Sequence, residues 1–108
     1  MVSVPAEVDI NNVYLLRSAL FEAATGAPVV VVDMTTTTFI DATGINALVA
    51  ISNRVVPAGG ELRLVIGTER MRDMLQLLGI DKRFRIFANL NEALRDDLSD
   101  SFLHAEAA

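Results

Sequence analysis

Apolar positions along the chain alternate between two spacings. Val2, Val4 and Val8 carry the β-branched pattern of one strand or two short ones. Pro5 lies between them and has no N–H for a ladder, which predicts a sheet edge or a bend. Asp9, Asn11 and Asn12 are capping types, and after them Val13, Leu16, Leu20 and Ala23 or Ala24 recur at three- and four-residue spacing. That period predicts a helix, which Gly26 and Pro28 stop. Val29 to Val32 form an unbroken β-branched run ending at Asp33, apolar on both faces, as expected of a central strand covered from both sides.

Thr35 to Thr38 break this pattern, being too polar for the middle of a sheet and too β-branched for a good helix, and predict a loop. Phe39 and Ile40 are apolar again. Asp41 then offers an N-cap carboxylate for a helix from about Thr43 to Val55, with Ile45, Leu48, Val49, Ser52, Val55 and Val56 as its stripe and Pro57 as its end. Asn46, Ala50, Asn53 and Arg54 fall on the outward face. Gly59 and Gly60 turn the chain into a strand in which Leu62, Leu64 and Ile66 alternate with Arg63 and Val65, up to Gly67. Thr68 caps a helix with Met71, Met74, Leu75 and Leu78 at core spacing and Gly79 as its left-handed stop. Phe84, Ile86 and Phe87 predict a last strand. Asn89 and Glu92 have the spacing of a capping box for a helix carrying Leu90, Ala93, Leu94 and Leu98.

Strand and helix therefore alternate four times, which predicts an α/β domain with helices on a largely parallel sheet and right-handed crossovers. The 108 residues, 52% of them hydrophobic, suffice for one core, and neither a repeat nor a linker suggests a second domain. The expected core spans about residues 2–98, with a tail from 99 to 108. Nine basic against fourteen acidic residues give a net charge of −5, which repels phosphate backbones and argues against a nucleic-acid partner. Four of those five charges come from residues 91–108, where five acids stand against Arg95. The longest apolar run, Ala27 to Val32, is far too short to span a membrane, and the first ten residues lack the positive charge of a signal peptide. A cytoplasmic location is the expectation, and the absence of cysteine fits a reducing compartment.

Most catalytic chemistry has no residues to carry it. The only histidine, His104, sits in the acidic end, and no thiol is present, so Ser-His-Asp and Cys-His relays are not expected. Neither a phosphate-cradling G-x-x-x-x-G-K-[ST] nor a G-x-G-x-x-G occurs, and Gly59-Gly60 reads as a turn. A phospho-receiver would need clustered acids for magnesium and a lysine after a strand, whereas the only lysine, Lys82, precedes the last strand. Arg70, Arg72, Arg83 and Arg85 lie opposite apolar periodicities and read as solvated faces. No enzymatic activity, metal or cofactor is expected.

What remains is Val31 to Ile45, VVDMTTTTFIDATGI, in which a buried strand delivers a polar loop and then a carboxylate-led helix. Each residue has a bland reading. Asp41 can serve only as a cap, Gly44 only as a site of close packing, Asp33 only as the end of its strand, and Thr36 and Thr38 as hydroxyls bonded locally. Met71 and Met74 read as core. Capping alone does not require the polar loop beside it, so for Asp41 a contact with a macromolecular partner is expected in addition.

The same segment resembles the STAS domain, the family of bacterial anti-sigma factor antagonists, whose signature is a hydrophobic strand ending in Asp, a short loop, then Phe-Ile-Asp-Ser-Ser/Thr-Gly-Leu at a helix start. The similarity continues through Gly59-Gly60-Glu61-Leu62, Leu75 to Ile80, Phe84 and Asn91-Glu92-Ala93-Leu94. The resemblance implies a single STAS domain with a mixed, mostly parallel sheet of four to five strands and four helices. It implies binding to an anti-sigma factor, often a serine protein kinase, with release of a sigma factor. ATP and magnesium would arrive with the kinase. The implied contact residues are Asp33, Thr36, Thr38, Asp41, Ala42, Thr43, Gly44, Asn46, Asn53 and Arg54.

In that family, phosphorylation of the first hydroxyl residue after the Asp switches binding off, and here that position is Ala42. Three outcomes stay open: an antagonist its kinase cannot silence, a switch moved to Thr43, or a module that has become a scaffold or an accessory subunit of a signalling complex or membrane transporter. Consecutive residues at a helix start point about 100° apart, which disfavours Thr43 as a substitute. Relatives usually carry one more strand before the one placed at Val2, so a missing or shortened sheet edge is expected. A homodimer also stays open.

Overall fold

The computed structural model describes residues 1–26 and 28–94. The expected helical residue Leu98, the histidine at 104 and the acidic end lie outside the described residues. Ten short elements follow one another: β1 (Val2–Ser3), β2 (Glu7–Val8), α1 (Val13–Gly26), β3 (Val29–Met34), β4 (Phe39–Ile40), α2 (Ala42–Val55), β5 (Glu61–Ile66), α3 (Glu69–Leu77), a 3-10 turn (Asp81–Arg83) and β6 (Arg85–Phe87). A further helical stretch occupies residues 90–94. It begins on a half-formed capping box, in which the Asn89 side chain accepts from the Glu92 amide at 2.9 Å.

Four strands make the main sheet in the order β1-β3-β5-β6, and every pairing in it is parallel. The bend at Pro5 divides the first apolar stretch. β1 lies at the edge beside β3, while β2 leaves the sheet and pairs with β4 in a separate parallel ribbon. Sequence reading places Phe39 and Ile40 as apolar residues without assigning a strand. Their ladder partner is Glu7–Val8, thirty-odd residues away, and local patterning carries no sign of it.

Strand order rising monotonically with sequence, joined by right-handed crossovers, sends successive helices to one face of the sheet. The main core bears this out. Val30, Val32 and Met34 of β3 and Leu62, Leu64 and Ile66 of β5 meet Leu16 and Leu20 of α1, Leu48 and Ile51 of α2, and Met71 and Leu75 of α3. The stripe on α2 differs in detail from the sequence reading: Ala47 and Ile51 belong to the buried face, whereas Val56 is half exposed.

The other sheet face is also covered. Val31 and Val65 pack with Ala93, flanked by Val29, Phe87 and Leu90. This cover explains a residue that alternation alone leaves facing water: Arg63 in β5 is only 2% exposed. Its guanidinium donates to the Ala93 carbonyl at 2.7 Å, pairs with Glu61 and lies 5.8 Å from the centre of the Phe87 ring. A buried charge needs such partners. Of the arginines read as solvated, Arg70, Arg83 and Arg85 are exposed, but Arg72 is half-buried and its Nε has no hydrogen-bond partner.

Two glycines permit close backbone approach. A Cβ at Gly60 would stand 2.0 Å from the Pro28 carbonyl oxygen, and one at Gly67 would stand 2.2 Å from that of Thr35. The turns into and out of β5 can therefore press against the ends of β3.

Candidate functional site

β2 and β4 run parallel with Val8 opposite Ile40, and each strand is followed by an aspartate and then a helix. Two helix starts thus emerge side by side at one end of the molecule. At the first, Asp9 accepts from the Asn11 amide through its side chain at 2.8 Å and from the Val13 amide through its carbonyl at 2.9 Å. Asn12 reciprocates: its side chain accepts from the Asp9 amide at 2.9 Å and donates to the Glu7 carbonyl at 2.8 Å.

At the second start, Asp41 is the N-cap of α2, as its position in the sequence predicts. One carboxylate oxygen, Oδ1, accepts from the Thr43 amide at 2.9 Å, the Gly44 amide at 3.2 Å and the Thr43 hydroxyl at 2.5 Å. The Thr43 hydroxyl holds the Asp41 carboxyl below the usual carboxylate range, more strongly than partial burial raises it. The Gly44, Thr43 and Ile10 amides act in the same direction as that hydroxyl. The Ile10 contact joins the second helix start to the first.

Directly after the cap, Ala42 is exposed. The methyl group at the resemblance's acceptor position therefore faces solvent, where it can neither donate a proton nor accept a phosphoryl group. Thr43 has the needed hydroxyl, and that group donates to Asp41 Oδ1. Gly44 is buried, and a Cβ there would come within 2.5 Å of Ile40 Cγ1 and 2.9 Å of Val8 Cγ1. It seats the first turn of α2 on the β2–β4 ribbon, so the packing role read for it from the sequence is met here.

The threonine loop is built the same way eight residues earlier. Asp33 Oδ1 accepts from the Thr35 amide at 3.0 Å and its hydroxyl at 2.7 Å, repeating the Asp41–Thr43 arrangement. Thr38 donates to the Ala6 carbonyl at 3.2 Å, while Thr36 is exposed. Thr37, which sequence reading did not single out, is completely buried and donates to the Pro5 carbonyl at 2.9 Å. It ties the loop before the second helix start to the bend before the first. A threonine flanked by threonines leaves no periodic signal for this role.

Along α2, Asn46, Asn53 and Arg54 are exposed, as expected. Arg54 lies over the Phe21 ring of α1 at 5.2 Å, and Asn53 accepts from Arg83 at 3.4 Å. The ten expected contact residues therefore separate. Ala42, Asn46, Asn53, Arg54, Thr36 and Thr38 line the surface, Asp33, Asp41 and Thr43 shape it from partly covered positions, and Gly44 packs beneath it. Beside β4 lies an open groove of about 610 Å³, bordered by Thr38, Phe39 and α3 residues including Arg70, Met74 and Leu77. Among the described residues no three His, Cys, Asp or Glu side chains converge as a metal set, and no helix is long and apolar enough to cross a membrane.

Comparison with known proteins places this geometry. The chain is 27% identical over 95 residues to the anti-sigma-F factor antagonist RsfB of Mycobacterium tuberculosis, covering 87% of this chain and 77% of that one. Its fold matches the crystal structure of an anti-sigma factor antagonist from Mycobacterium paratuberculosis with a TM-score of 0.76, at 26% identity over 87% of this chain and 80% of the other. It also matches the phosphorylated form of the Bacillus cell-fate determinant SpoIIAA, with a TM-score of 0.66 at 20% identity, over 87% of this chain and 86% of that one. The STAS domain family model matches residues 1–93, so that the strand–aspartate–helix tip and the sheet behind it belong to one recognised unit: the chain is a member of the STAS domain family.

Proposed function

We propose that the protein is an anti-sigma factor antagonist that docks the tip of α2, with the threonine loop beside it, onto an anti-sigma factor of the serine-kinase type and so releases a sigma factor. It does this in a form its kinase cannot silence. The reading is supported by the relatives named above and by the layout of the tip, where a rigidly capped helix start carries exposed small and polar residues.

The observation that carries the second half is the 2.5 Å hydrogen bond from the Thr43 hydroxyl to Asp41, next to a solvent-facing Ala42. Phosphoryl transfer to Thr43 would break that bond and place about −1.5 to −2 charges against a carboxylate that already holds its own charge. Transfer to Ala42 has no acceptor atom. Any phosphoryl transfer belongs to the partner, which supplies the ATP and magnesium.

Mixing the protein with the ATPase-type anti-sigma factors encoded in the same genome, with Mg-ATP, tests the reading. A stable complex and an unchanged intact mass are expected. A phosphoryl group on Thr43 would establish a moved switch, and failure to bind any of these factors would favour the scaffold reading.

A further inference from the structure

The four threonines of the loop differ in what their polar groups do. The hydroxyl of Thr35 donates to Asp33 Oδ1 at 2.7 Å, that of Thr37 to the Pro5 carbonyl at 2.9 Å and that of Thr38 to the Ala6 carbonyl at 3.2 Å. Their amides are engaged as well. The Thr35 amide donates to Asp33 Oδ1, the Thr37 amide to the Met34 carbonyl at 3.0 Å and the Thr38 amide to the Ala6 carbonyl at 2.8 Å. Among the described residues Thr36 alone of the four bonds through neither group, and it is exposed. Local hydrogen bonding therefore accounts for Thr38 and not for Thr36.

The bonds around Thr36 fix where it stands. The Thr37 amide closes a turn onto Met34, with Thr35 and Thr36 as its two central residues. Asp33 holds the first of them, and the ties to Pro5 and Ala6 hold the chain that leaves the turn. Gly67 approaches so closely that a Cβ there would stand 2.2 Å from the Thr35 carbonyl oxygen. Thr36 is an unbonded polar residue on a braced turn, and a hydroxyl presented in this way loses little freedom when a partner group meets it.

The α2 tip is within one partner's span of Thr36. Ala42 follows it by six residues, which bounds their Cα separation at about 21 Å. An interface of ordinary size covers about 800 Å² on each partner, a patch about 30 Å across. A partner seated on Ala42 thus extends far enough to meet the loop.

We infer that Thr36 is the specificity-determining hydroxyl of the threonine loop, bonding a polar group of the anti-sigma factor, while Thr35, Thr37 and Thr38 hold the loop in shape. This rests on the reading of the protein as an anti-sigma factor antagonist and narrows the loop's hydroxyl contact to one residue. A hydroxyl both donates and accepts, so the matching group is any single polar group that the docked partner places against it. Removing the hydroxyl leaves that group buried and unpaired, and this is what makes one such contact discriminate between partners.

Calorimetric titration of the anti-sigma factor with the whole protein, alongside thermal melting, tests it. Thr36→Val keeps the side-chain shape and removes the hydroxyl. It weakens binding by about fivefold to tenfold and moves the melting temperature by less than about 3 °C, because the hydroxyl has no internal partner. Thr36→Ser, which keeps the hydroxyl, binds within about twofold of the unaltered protein. If Thr36→Val binds as tightly as the unaltered protein, or Thr36→Ser binds as weakly as Thr36→Val, the assignment to the Thr36 hydroxyl is overturned. The α2 docking reading then still stands if Ala42→Arg, a long charged side chain at the exposed tip, abolishes binding. If the unaltered protein binds no anti-sigma factor, both fall.

Discussion

The two aspartate-led helix starts are neighbours with the same backbone plan and opposite surfaces. At the α1 start, the cap is a reciprocal Asp9–Asn12 pair, and the residues around it, Ile10 and Tyr14, are large, apolar and outward. At the α2 start, a single Asp41 oxygen gathers the donors, and the residues that follow are the small Ala42, Thr43 and Gly44. The contrast is between bulk and fit. Gly44 must be small because α2 begins pressed onto Ile40 and Val8, and Thr43 must be a hydroxyl residue to close the cap. Of the three, only Ala42 has no internal contact that fixes its type, and it is the position to which the proposed reading assigns the missing acceptor hydroxyl.

Restoring that hydroxyl breaks the contrast most sharply. Ala42→Ser is expected to gain one phosphoryl group from the partner kinase with Mg-ATP, where the unaltered protein gains none, and the phosphorylated form is expected to bind about tenfold more weakly or worse. Intact mass and titration calorimetry read the two effects. No change in mass for A42S would mean that the tip does not reach the kinase active site.

Filling the packed position comes next. Gly44→Val places a side chain where even a Cβ is within 2.5 Å of Ile40, and overpacking of this kind costs about 2–3 kcal/mol, or a melting temperature lower by ~10 °C or more. At the other start, Asn11→Val lies at an exposed position and keeps the backbone amide that donates to Asp9, so it should change stability by less than about 0.5 kcal/mol.

The tie between the two starts is a smaller term. Thr37→Val keeps the shape but leaves the Pro5 carbonyl without its donor, for a loss of about 1–2 kcal/mol, whereas Thr37→Ser retains the bond and most of the stability. Chemical denaturation separates these two variants. Equal losses would show that the methyl group, and not the hydroxyl, matters there.

The smallest effects lie in the acid range. Asp41 keeps its charge further into acid when folded than when unfolded, so the unfolded chain binds the proton more readily. Its contribution is therefore fully present above its ordinary value of 3.8 and is lost as pH falls through the lowered folded value. Asp41→Asn should flatten that acid limb of stability. Thr43→Val removes the largest cause of the shift and should bring the Asp41 titration, followed by carboxyl NMR, back toward 3.8.

Much of this was legible from local pattern. The three long helices, the central Val29–Val32 strand and the Asp41 cap follow from spacing and capping chemistry that depend on near neighbours only. The placement of Asn46, Asn53 and Arg54 on an outward face follows from the helical period. The β2–β4 ribbon was not legible, because two-residue strands have too few positions for a period and their pairing depends on distant chain. Arg63 reads as an outward residue until the helical stretch at 90–94 is laid over that face.

The sequence by itself determined the order of elements, the residue that caps α2 and the missing hydroxyl beside it, since each is a property of residue type at a fixed local spacing. Tertiary structure alone decided that Thr37 is an internal tie, that Gly44 packs against Ile40 and Val8, and that Ile10 follows a strand paired with the one before Ala42. Those facts follow from which surfaces meet once parallel strands far apart in the chain fall into register, and hydrogen bonds and steric exclusion between distant residues set that register.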